Sequence, residues 1–457
     1  MIPSNPMTLL RKREYGVLLV GDVVVFALAL WTTLALRYVE LPDLYLYLVH
    51  LVPFSMLFAA WILVFFIAGL YGKHTRIFRS TLGSTVFGVQ AINIVIAAFF
   101  FWLVPAFVIT PRVLLIIYLA VSSPLIVVWR TLIFPHLRGV RPLRGVLIAT
   151  GPDAAHLAKE VGEDARYPFK FDYVIDTAHA PSHEVIQRAC RIAGEDGMSF
   201  LAADVTDTAF AAALPIVYDA AFHKRRFSLV NVIDLYQEVF DRVPLSLVRY
   251  EWVLQNVSSS YSYDLLKRWV DVIGALIIGV LTLPLYPLII LSIKLDDGGD
   301  IFITQERVGR FQRPIRIYKF RSMTGNDHGR YGENGTSALR VTRIGKWLRI
   351  LRLDELPQLW NILRGDLSLV GPRPELPALA AQYSARIPYY NARYLLAPGL
   401  MGWAQLKHDR DPHHGTAVEE TKEKLSYDLY YLKHRSLLLD LFIMLQTIRV
   451  VLTARGS

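Results

Sequence analysis

The chain has 457 residues, of which 53% are hydrophobic, and its formal net charge is +10 at pH 7. A mean hydropathy of +0.35 excludes an ordinary soluble protein, and the length predicts about two or three domains. The single cysteine, Cys190, excludes an intrachain disulfide framework and is typical of a reducing compartment. The positive charge predicts that the protein interacts with lipid headgroups or phosphates. Binding to nucleic acid is not predicted, because it would not explain the apolar segments.

Four apolar segments begin the chain, and each is close to the roughly 20 residues that cross a bilayer as a helix. They cover about residues 15–36, 47–70, 85–104 and 112–134. The first is too long for a cleavable signal peptide and lacks a small-residue cleavage site. Lysine and arginine are concentrated before the first segment, between the second and third, and after the fourth. This pattern predicts a four-helix transmembrane domain at residues 1–140 with both ends in the cytoplasm.

Three polar side chains lie at membrane depth in these segments, at Asp22, Gln90 and Asn93. Hydrogen bonding between helices is the favoured interpretation, and a functional role inside the membrane is the alternative.

Residues 141–250 have the composition of a soluble domain. Strands are predicted at 145–151, 171–176, 198–203 and 227–233, with a helix at 153–162. This alternation predicts a central Rossmann-like α/β domain with a parallel sheet. The first turn contains Gly151 but lacks the glycine triplet of a dinucleotide site, so a degenerate structural or regulatory domain is favoured over nucleotide binding. Residues 243–260 are predicted to form a linker.

A further apolar segment, residues 269–293 within a predicted helix at about 265–294, is long enough to span a membrane. Basic residues lie on both sides of it, including Lys267 and Lys294, which argues against crossing. Pro284 and Pro287 lie inside it, and each removes a backbone donor and bends a helix. A re-entrant helix that returns to the cytoplasmic face is the favoured interpretation, and a kinked spanning helix is the alternative.

The most informative motif is Leu-Asp-Glu-Leu-Pro-Gln, in which Asp354 and Glu355 are adjacent acids. One carboxylate can attack phosphorus and form an aspartyl-phosphate type of intermediate. The neighbouring carboxylate can act as a base or as a ligand of Mg²⁺. The simpler alternative is a helix start whose acids interact favourably with the helix dipole.

A set of basic side chains accompanies the acid pair: Lys319, Arg321, Arg349 and Arg373. A diphosphate needs several donors, and arginine binds phosphate oxygens in a bidentate manner. The prolines on either side of Arg373 restrict the backbone and would hold that side chain in place. Downstream, Trp403 and Gln405 are candidates to stack on and hydrogen-bond a base or sugar, and a structural role explains them equally well.

The remaining sequence lacks a zinc-type Cys/His cluster and a Walker lysine loop. The apolar tail at residues 437–452 is too short to span and predicts an interfacial helix.

These motifs resemble those of the bacterial sugar transferases called polyprenyl-phosphate hexose-1-phosphate transferases, the monotopic phosphoglycosyl transferases. The resemblance covers residues 263–456. It rests on the Lys-Phe-Arg-Ser-Met motif, the acid pair, the Gly-Pro-Arg-Pro turn and the Pro-Gly-Leu-Met-Gly-Trp-Ala-Gln motif. The four apolar segments and the α/β middle look like the long form of the family. The resemblance implies a mainly α catalytic domain at residues 251–457 with a re-entrant helix broken at Pro284.

The resemblance further implies transfer of a hexose-1-phosphate from a UDP-sugar to undecaprenyl phosphate, with release of UMP. This would begin exopolysaccharide, capsule or O-antigen synthesis at the bacterial inner membrane, with the catalytic domain on the cytoplasmic face. Asp354 maps onto the family's nucleophile, which forms a covalent phosphosugar intermediate, and Glu355 onto a residue that assists Mg²⁺ binding and acceptor activation. Arg349 and Arg373 fall where the family uses phosphate-binding arginines. The long members make a homodimer plausible.

Departures from the family pattern are Leu283, where serine is common, Met401, where threonine is usual, and the His/Asp-rich loop at residues 408–414. Two other functions are alternatives to the transfer of a sugar phosphate. A non-catalytic membrane scaffold would use the α/β middle to bind a regulator. A membrane-anchored nucleotide-sugar oxidoreductase or dehydratase would need the glycine fingerprint that the middle segment lacks.

Overall fold

The structure is a computed structural model of the chain. It describes residues 6–71, 79–104, 112–138, 142–163, 167, 169–176, 183–193, 198–205, 210, 214–223, 227–256, 261–324, 340–408 and 418–452. Two compact units are present, one of residues 1–145, 160–173 and 195–200 and the other of residues 146–159, 174–194 and 201–457. The domain boundaries predicted after residues 140 and 250 stay predictions.

The N-terminal part consists of long apolar helices: α1 (Pro6–Tyr38), α2 (Leu44–Ile67), α3 (Arg79–Leu103) and α4 (Arg112–Val128). Each of α1, α2 and α3, and α4 together with the helical residues that follow it up to Leu137, is long and apolar enough to cross a membrane, which confirms the four predicted apolar segments. A π-helical turn (Trp129–Ile133) and the short α5 (Phe134–Arg138) continue α4. Aromatic side chains fill the interior of this bundle, with Phe26, Phe54 and Trp61 fully buried.

Polar side chains inside the bundle bond to one another across helices. Gln90 on α3 donates to the Ser122 hydroxyl of α4 at 2.7 Å. The Asn93 side chain donates to the side-chain oxygen of Gln90 at 2.7 Å. The backbone carbonyl of Asn93 accepts from the indole N–H of Trp61 at 3.0 Å. These bonds join three helices, as the favoured interpretation of Gln90 and Asn93 requires.

Asp22 is fully buried and is paired with a cation from another helix. Arg130 donates to its two carboxylate oxygens at 3.2 and 2.5 Å, and the Tyr71 hydroxyl donates at 2.8 Å. Arg130 also donates to the carbonyl of Leu70 at 2.6 Å, at the end of the segment that follows α2. The interaction therefore ties together the chain segments around α1, α2 and α4.

A four-stranded sheet with the strand order β2-β1-β3-β4 follows. Its elements in chain order are β1 (Leu143–Ile148), α6 (Pro152–Glu163), β2 (Phe169–Ile175), α7 (His183–Ala193), β3 (Met198–Ala203), α8 (Leu214–Tyr218), β4 (Ser228–Asn231) and α9 (Val232–Phe240). The alternation of strands and helices is confirmed, but the fourth strand ends earlier than predicted. Asn231 caps α9 by accepting from the Ile233 amide at 2.8 Å, so Val232 and Ile233 are helical.

The turn after β1 contacts the chain's own residues. Gly151 adopts a left-handed backbone angle (φ +96°), and a Cβ there would lie 3.6 Å from the Ser246 hydroxyl oxygen. Asp153, at the start of α6, accepts from the amide and hydroxyl of Ser246 at 3.0 and 2.7 Å, and from the Tyr236 hydroxyl at 3.2 Å. These contacts favour a structural role for the turn.

The predicted linker is ordered and buried over much of its length. Val243, Leu247, Val248 and Trp252 are all buried, and residues Tyr250–Asn256 form α10. The apolar side chains of this stretch pack against neighbouring elements, and its role as a linker between domains stays a prediction. Residues 257–260 lie outside the described residues.

The C-terminal part is mainly helical, with two small sheets. Its elements are α11 (Tyr261–Thr282), α12 (Leu285–Asp297), β5 (Phe302–Val308), β6 (Pro314–Phe320), α13 (Arg343–Ile350), α14 (Gln358–Arg364), β7 (Ser368–Val370), α15 (Pro377–Arg386), β8 (Gly399–Met401), α16 (Trp403–Lys407), α17 (Val418–His434) and α18 (Leu437–Leu452). β5 and β6 form an antiparallel pair, whereas β7 and β8 are parallel. The tail predicted to be helical is α18.

The apolar segment at residues 265–294 is a broken helix. α11 and α12 are bent by 63° at a break that contains Leu283 and Pro284. Pro287 lies in the first turn of α12, where a backbone N–H has no partner within the helix and its loss is tolerated. The Thr282 hydroxyl donates to the Ile278 carbonyl at 2.7 Å, immediately before Leu283 in the break. The break is confirmed, and the membrane path of this helix pair stays a prediction.

Candidate active site

Strand β6 presents Lys319 through the alternation of its side chains. The next residue, Phe320, is fully buried and packs on the rings of Tyr286 and Phe302, each with a centroid 5.1 Å away. Successive side chains in a strand point to opposite faces, so the anchoring of Phe320 directs Lys319 to the other face. The side chain of Lys319 is 17% exposed.

Asn361 connects β6 to the helix that follows the acid pair. It is fully buried on α14, donates to the Arg316 carbonyl at 2.7 Å, and accepts from the Tyr318 amide at 3.2 Å. It also donates to Asp366 at 3.3 Å. One side chain thereby sets the distance between the strand that carries Lys319 and the segment that carries the acids. This role was not predicted, although Asn361 lies three residues after the end of the acid motif in the sequence.

The acid pair lies in a tight 3₁₀ turn (Leu353–Glu355) between α13 and α14. Asp354 and Glu355 are each 8% exposed, so both carboxyl groups are largely removed from water. Arg352, immediately before the turn, has a left-handed backbone angle (φ +53°). Such a conformation in a non-glycine residue costs about 1–3 kcal/mol and is typical of sites where the surrounding structure imposes a particular geometry.

Cations from three chain segments converge on Glu355. Its Oε1 lies 3.7 Å from Nζ of Lys319 and 3.3 Å from Nη2 of Arg373. Its Oε2 lies 3.8 Å from Nη1 of Arg352. The structure thus brings together the predicted residues Lys319, Glu355 and Arg373. Arg352 was missed, although its spacing of three residues before Glu355 could have indicated the contact.

The two acids differ in their ionisation. Burial raises the pKa of Asp354 to about 6, and the neighbouring charge of Glu355 adds to this effect while nearby cations reduce it. Burial acts in the same direction on Glu355, but the charges of Arg373, Lys319 and Arg352 outweigh it and lower that pKa to about 2. Burial also lowers the pKa of the Lys319 ammonium. Two adjacent carboxyl groups with separated pKa values are suited to different chemical roles.

Arg349 and Arg321 lie in different surroundings. Arg349, on α13, is close enough to contribute to the electrostatics of Asp354, and its Nη1 lies 3.4 Å from Sδ of Met323. Arg321 is buried and forms an ion pair with Asp297 at the end of α12. Gly299 makes room for it, because a Cβ there would lie 1.8 Å from an Arg321 nitrogen. The structure therefore places Arg321 in a bond that holds β6 to α12.

Trp403 and Gln405 both lie in α16. Trp403 is buried, stacks on the Tyr430 ring at 5.7 Å, and donates its indole N–H to the Asp241 carbonyl at 2.9 Å. Of the two readings of Trp403, these contacts support the structural one. The side-chain oxygen of Gln405 is buried without a hydrogen-bond partner among the described residues. It is directed toward Gly402, where a Cβ would lie 3.1 Å from it.

The turn that carries Arg373 depends on two glycines. A Cβ on Gly399 would lie 2.1 Å from the Gly371 nitrogen, and a Cβ on Gly371 would lie 2.5 Å from the Ala397 carbonyl oxygen. This close approach lets Gly371 donate to the Met401 carbonyl at 2.8 Å and Gly399 donate to the Pro372 carbonyl at 2.9 Å. Met401 contributes its backbone here, so its difference from the usual threonine leaves the pairing intact.

The acid pair is compatible with Mg²⁺ only when a ligand supplies further oxygens. Among the described residues, no group of three or more His, Cys, Asp or Glu side chains has a metal-binding arrangement. Mg²⁺ is usually held by one or two carboxylates together with substrate phosphates and water. Asp354 and Glu355 fit that pattern, with a phosphate ligand completing the site.

Comparison with known proteins agrees with this geometry. A model of the family described as bacterial sugar transferase matches residues 262–454. The chain is 42% identical over 207 residues to a UDP-N-acetylgalactosamine-undecaprenyl-phosphate N-acetylgalactosaminephosphotransferase of Aeromonas hydrophila, covering 45% of this chain and 48% of that protein. It is 43% identical over 198 residues to a UDP-glucose:undecaprenyl-phosphate glucose-1-phosphate transferase of Caulobacter vibrioides, covering 42% of this chain and 72% of that protein.

A third relative is the UDP-glucose:undecaprenyl-phosphate glucose-1-phosphate transferase of Escherichia coli, 36% identical over 219 residues. The alignment covers 48% of this chain and 46% of that protein. The chain thus spans about half the length of the first and third relatives. All residues that converge on Glu355 lie inside the matched segment. The chain belongs to the bacterial sugar transferase family.

Proposed function

We propose that this protein transfers a hexose-1-phosphate from a UDP-sugar to undecaprenyl phosphate, giving undecaprenyl-diphosphate-sugar and UMP. The observation that carries the proposal is the acid pair of Asp354 and Glu355 enclosed by Lys319, Arg352 and Arg373. The names of the relatives that align with this segment support the same reaction. Such a transfer would initiate the synthesis of a surface polysaccharide.

In the first step, a carboxylate oxygen of Asp354 attacks the sugar-bearing phosphorus of the donor. An O–P bond forms to Asp354, the bond from that phosphorus to the bridging oxygen breaks, and UMP leaves with the electron pair. The pKa of about 6 leaves Asp354 ionised at neutral pH. Burial removes water from the carboxylate, and the adjacent cations stabilise the charge on the transferring phosphoryl group.

In the second step, a phosphate oxygen of undecaprenyl phosphate attacks the same phosphorus. The new diphosphate bond forms as the bond to Asp354 breaks, and the carboxylate is regenerated. Glu355, with a pKa of about 2, is a weak proton acceptor at neutral pH. Its main contribution is therefore to hold Lys319 and Arg373 in place for both phosphate substrates.

Magnesium is part of the proposal. Asp354 and Glu355 would hold Mg²⁺ together with donor phosphate oxygens, and the bound ion would supply neutralisation of phosphate charge. Lys319 and Arg373 would bind the phosphate oxygens that the ion leaves open. Gln405 is proposed to accept a hydrogen bond from the donor, because its buried oxygen lacks a partner among the described residues.

The broken helix of α11 and α12 is proposed to enter and leave the cytoplasmic leaflet of the bacterial inner membrane. Large apolar side chains along it are exposed, including Trp269 at 60% and Val280 at 69%. Lys267 and Lys294 at its two ends would remain with the headgroups. Single cysteines introduced beside these two lysines should both be labelled from the cytoplasmic side only. Labelling of either one from outside would show a spanning helix.

The decisive experiment incubates membranes containing the protein with undecaprenyl phosphate and a panel of UDP-glucose, UDP-galactose and UDP-N-acetylgalactosamine. Release of UMP with one of these donors is expected. The Asp354→Asn variant, which has nearly the same shape, should abolish release and should leave no sugar-phosphate adduct on residue 354 by mass spectrometry. Persistent lipid-linked product with Asp354→Asn would refute the nucleophile, and no UMP from the wild type would favour the scaffold function.

A further inference from the structure

The turn at residues 371–375 carries Arg373 to the acid pair, yet two of its residues, Pro372 and Pro374, have no backbone N–H. The turn is consequently held largely through its carbonyl groups. The Pro372 carbonyl accepts from the Gly399 amide at 2.9 Å, and the Glu375 carbonyl accepts from the Val308 amide at 2.9 Å. The carbonyl groups of Arg373 and Pro374, which lie between these two in the chain, accept hydrogen bonds from side chains.

Two guanidinium groups bind these central carbonyls. Arg393 Nη2 donates to the Arg373 carbonyl at 3.0 Å, and Arg307 Nη1 donates to the Pro374 carbonyl at 3.2 Å. Arginine is suited to this task because its N–H donors are fixed in one plane. Arg393 therefore holds the backbone carbonyl of Arg373, the residue whose side chain contacts Glu355.

Arg393 is itself fixed from several directions. Its side chain is 5% exposed, Nη1 donates to the Tyr390 hydroxyl at 2.7 Å, and Nη2 lies 2.9 Å from Oδ2 of Asp428. Nη1 also lies 3.4 Å from Oε1 of Glu375, inside the turn itself. A buried arginine requires such partners, because an uncompensated buried charge is strongly destabilising. Asp428 belongs to α17, so this helix anchors the turn through Arg393.

We propose that Arg393 is a positioning residue that aligns Arg373 with Glu355 and with the phosphates of the donor. The inference rests on the proposed function, since Arg373 would contact those phosphates. Arg393 does not reach the reacting atoms. It acts by fixing the backbone from which the Arg373 side chain extends.

The test uses the full chain in lipid nanodiscs and the variant Arg393→Lys. Lysine keeps a positive charge near Asp428 but lacks the planar set of donors that binds the Arg373 carbonyl and Tyr390 together. Hydrogen–deuterium exchange is expected to increase in the peptide that contains residues 371–375. The rate of UMP release is expected to fall by about 100-fold, as for a misplaced substrate-binding group.

A double-mutant cycle with Arg373→Ala separates positioning from a general structural role. If Arg393 acts through Arg373, adding Arg393→Lys to Arg373→Ala should lower the rate by less than about threefold further. Independent, multiplicative losses in the double variant would overturn the proposal. Asp428→Asn offers a second route that leaves Arg393 in place, and it should raise exchange in the same peptide.

Arg435→Lys is the matched control. Arg435 is 10% exposed and pairs with Asp264 of α11 at 3.1 Å. This variant should leave exchange of the turn unchanged and the rate within about twofold of wild type, as for sites that do not interact. Exchange is measured without substrate, so unchanged exchange in both Arg393→Lys and Asp428→Asn refutes the inference whatever the activity. Absence of UMP release by the wild type refutes only the proposed function.

Discussion

Arg373 Nη2 lies 3.3 Å from Oε1 of Glu355, and this contact joins the two motifs that identify the site, although they are 18 residues apart. The same oxygen faces Lys319 Nζ at 3.7 Å from a third segment. Glu355 therefore organises the cations around Asp354. Because it is largely buried, its charge matters to them more than a surface acid's would.

Replacing Glu355 by Gln should remove this organising charge without creating a cavity. We expect the free energy of unfolding to fall by about 1.5–3 kcal/mol, the range for hydrogen bonds to charged groups, and turnover to be lost. Thermal unfolding and UMP release measure the two effects. Glu419→Gln is the control, since Glu419 has an 82% exposed side chain and should tolerate the change. Wild-type activity in Glu355→Gln would contradict the role given to Glu355.

The rate of adduct formation should depend on pH through Asp354. The attacking group must be ionised, and burial raises its pKa to about 6. The rate should therefore be constant at neutral pH and fall as pH decreases through about 6, approaching a tenfold decrease per pH unit in the acidic range. Single-turnover UMP release between pH 4.5 and 8, on protein verified to remain folded, measures the profile. A constant rate down to pH 4.5 would be inconsistent with this pKa.

Gly399→Ala should disrupt the turn that carries Arg373. The new Cβ would lie 2.1 Å from the Gly371 nitrogen, and backbone on both sides prevents an easy adjustment. We expect a loss of at least about 2 kcal/mol in the free energy of unfolding, together with loss of UMP release.

Gly279→Ala provides the matched control for that change. Gly279 lies in α11, and a Cβ there has no heavy atom within 4 Å. Alanine should be neutral or stabilise the helix by about 0.5–1 kcal/mol. Equal effects of the two substitutions would show that the close approach of Gly399 to Gly371 is unimportant.

Asp22→Leu should destabilise the N-terminal helices by leaving Arg130 buried without its carboxylate partner. The expected loss is about 3–5 kcal/mol. The double variant Asp22→Leu with Arg130→Leu should recover part of it, because no unpaired charge then remains. Unfolding of the purified protein in detergent, followed by circular dichroism, compares the three proteins. A double variant less stable than Asp22→Leu would contradict this explanation.

Local sequence was sufficient for several elements. The four apolar segments are helical, the third strand of the sheet has the predicted bounds of Met198–Ala203, and the helix breaks at Pro284. The length of an apolar segment, a composition rich in strand-forming residues and the missing N–H of proline all act on neighbouring residues. Their effects can therefore be predicted from the local sequence. The end of β4 was missed because the Asn231 cap outweighed the strand propensity of Val232 and Ile233.

The chemistry of the site was only partly local. The residue types at Asp354, Glu355, Lys319 and Arg373 predicted an acid pair beside phosphate-binding cations, and the structure places Lys319 and Arg373 at one carboxylate oxygen of Glu355. The separation of the two acids' pKa values depends on burial and on the positions of cations, which sequence does not contain.

By itself, the sequence determined the family motifs, the apolar helices and the types of residue available for catalysis. Only the tertiary structure decided which partners those residues meet. The sequence left a substrate-binding role open for Trp403. In the structure its indole N–H donates to the Asp241 carbonyl, 162 residues earlier in the chain. Arg393 gave no signal of its own, because its importance comes from contacts with Arg373 and Asp428. Hydrogen bonds and ion pairs form according to distance in space, and packing brings together side chains whose separation in the chain carries no trace of the contact.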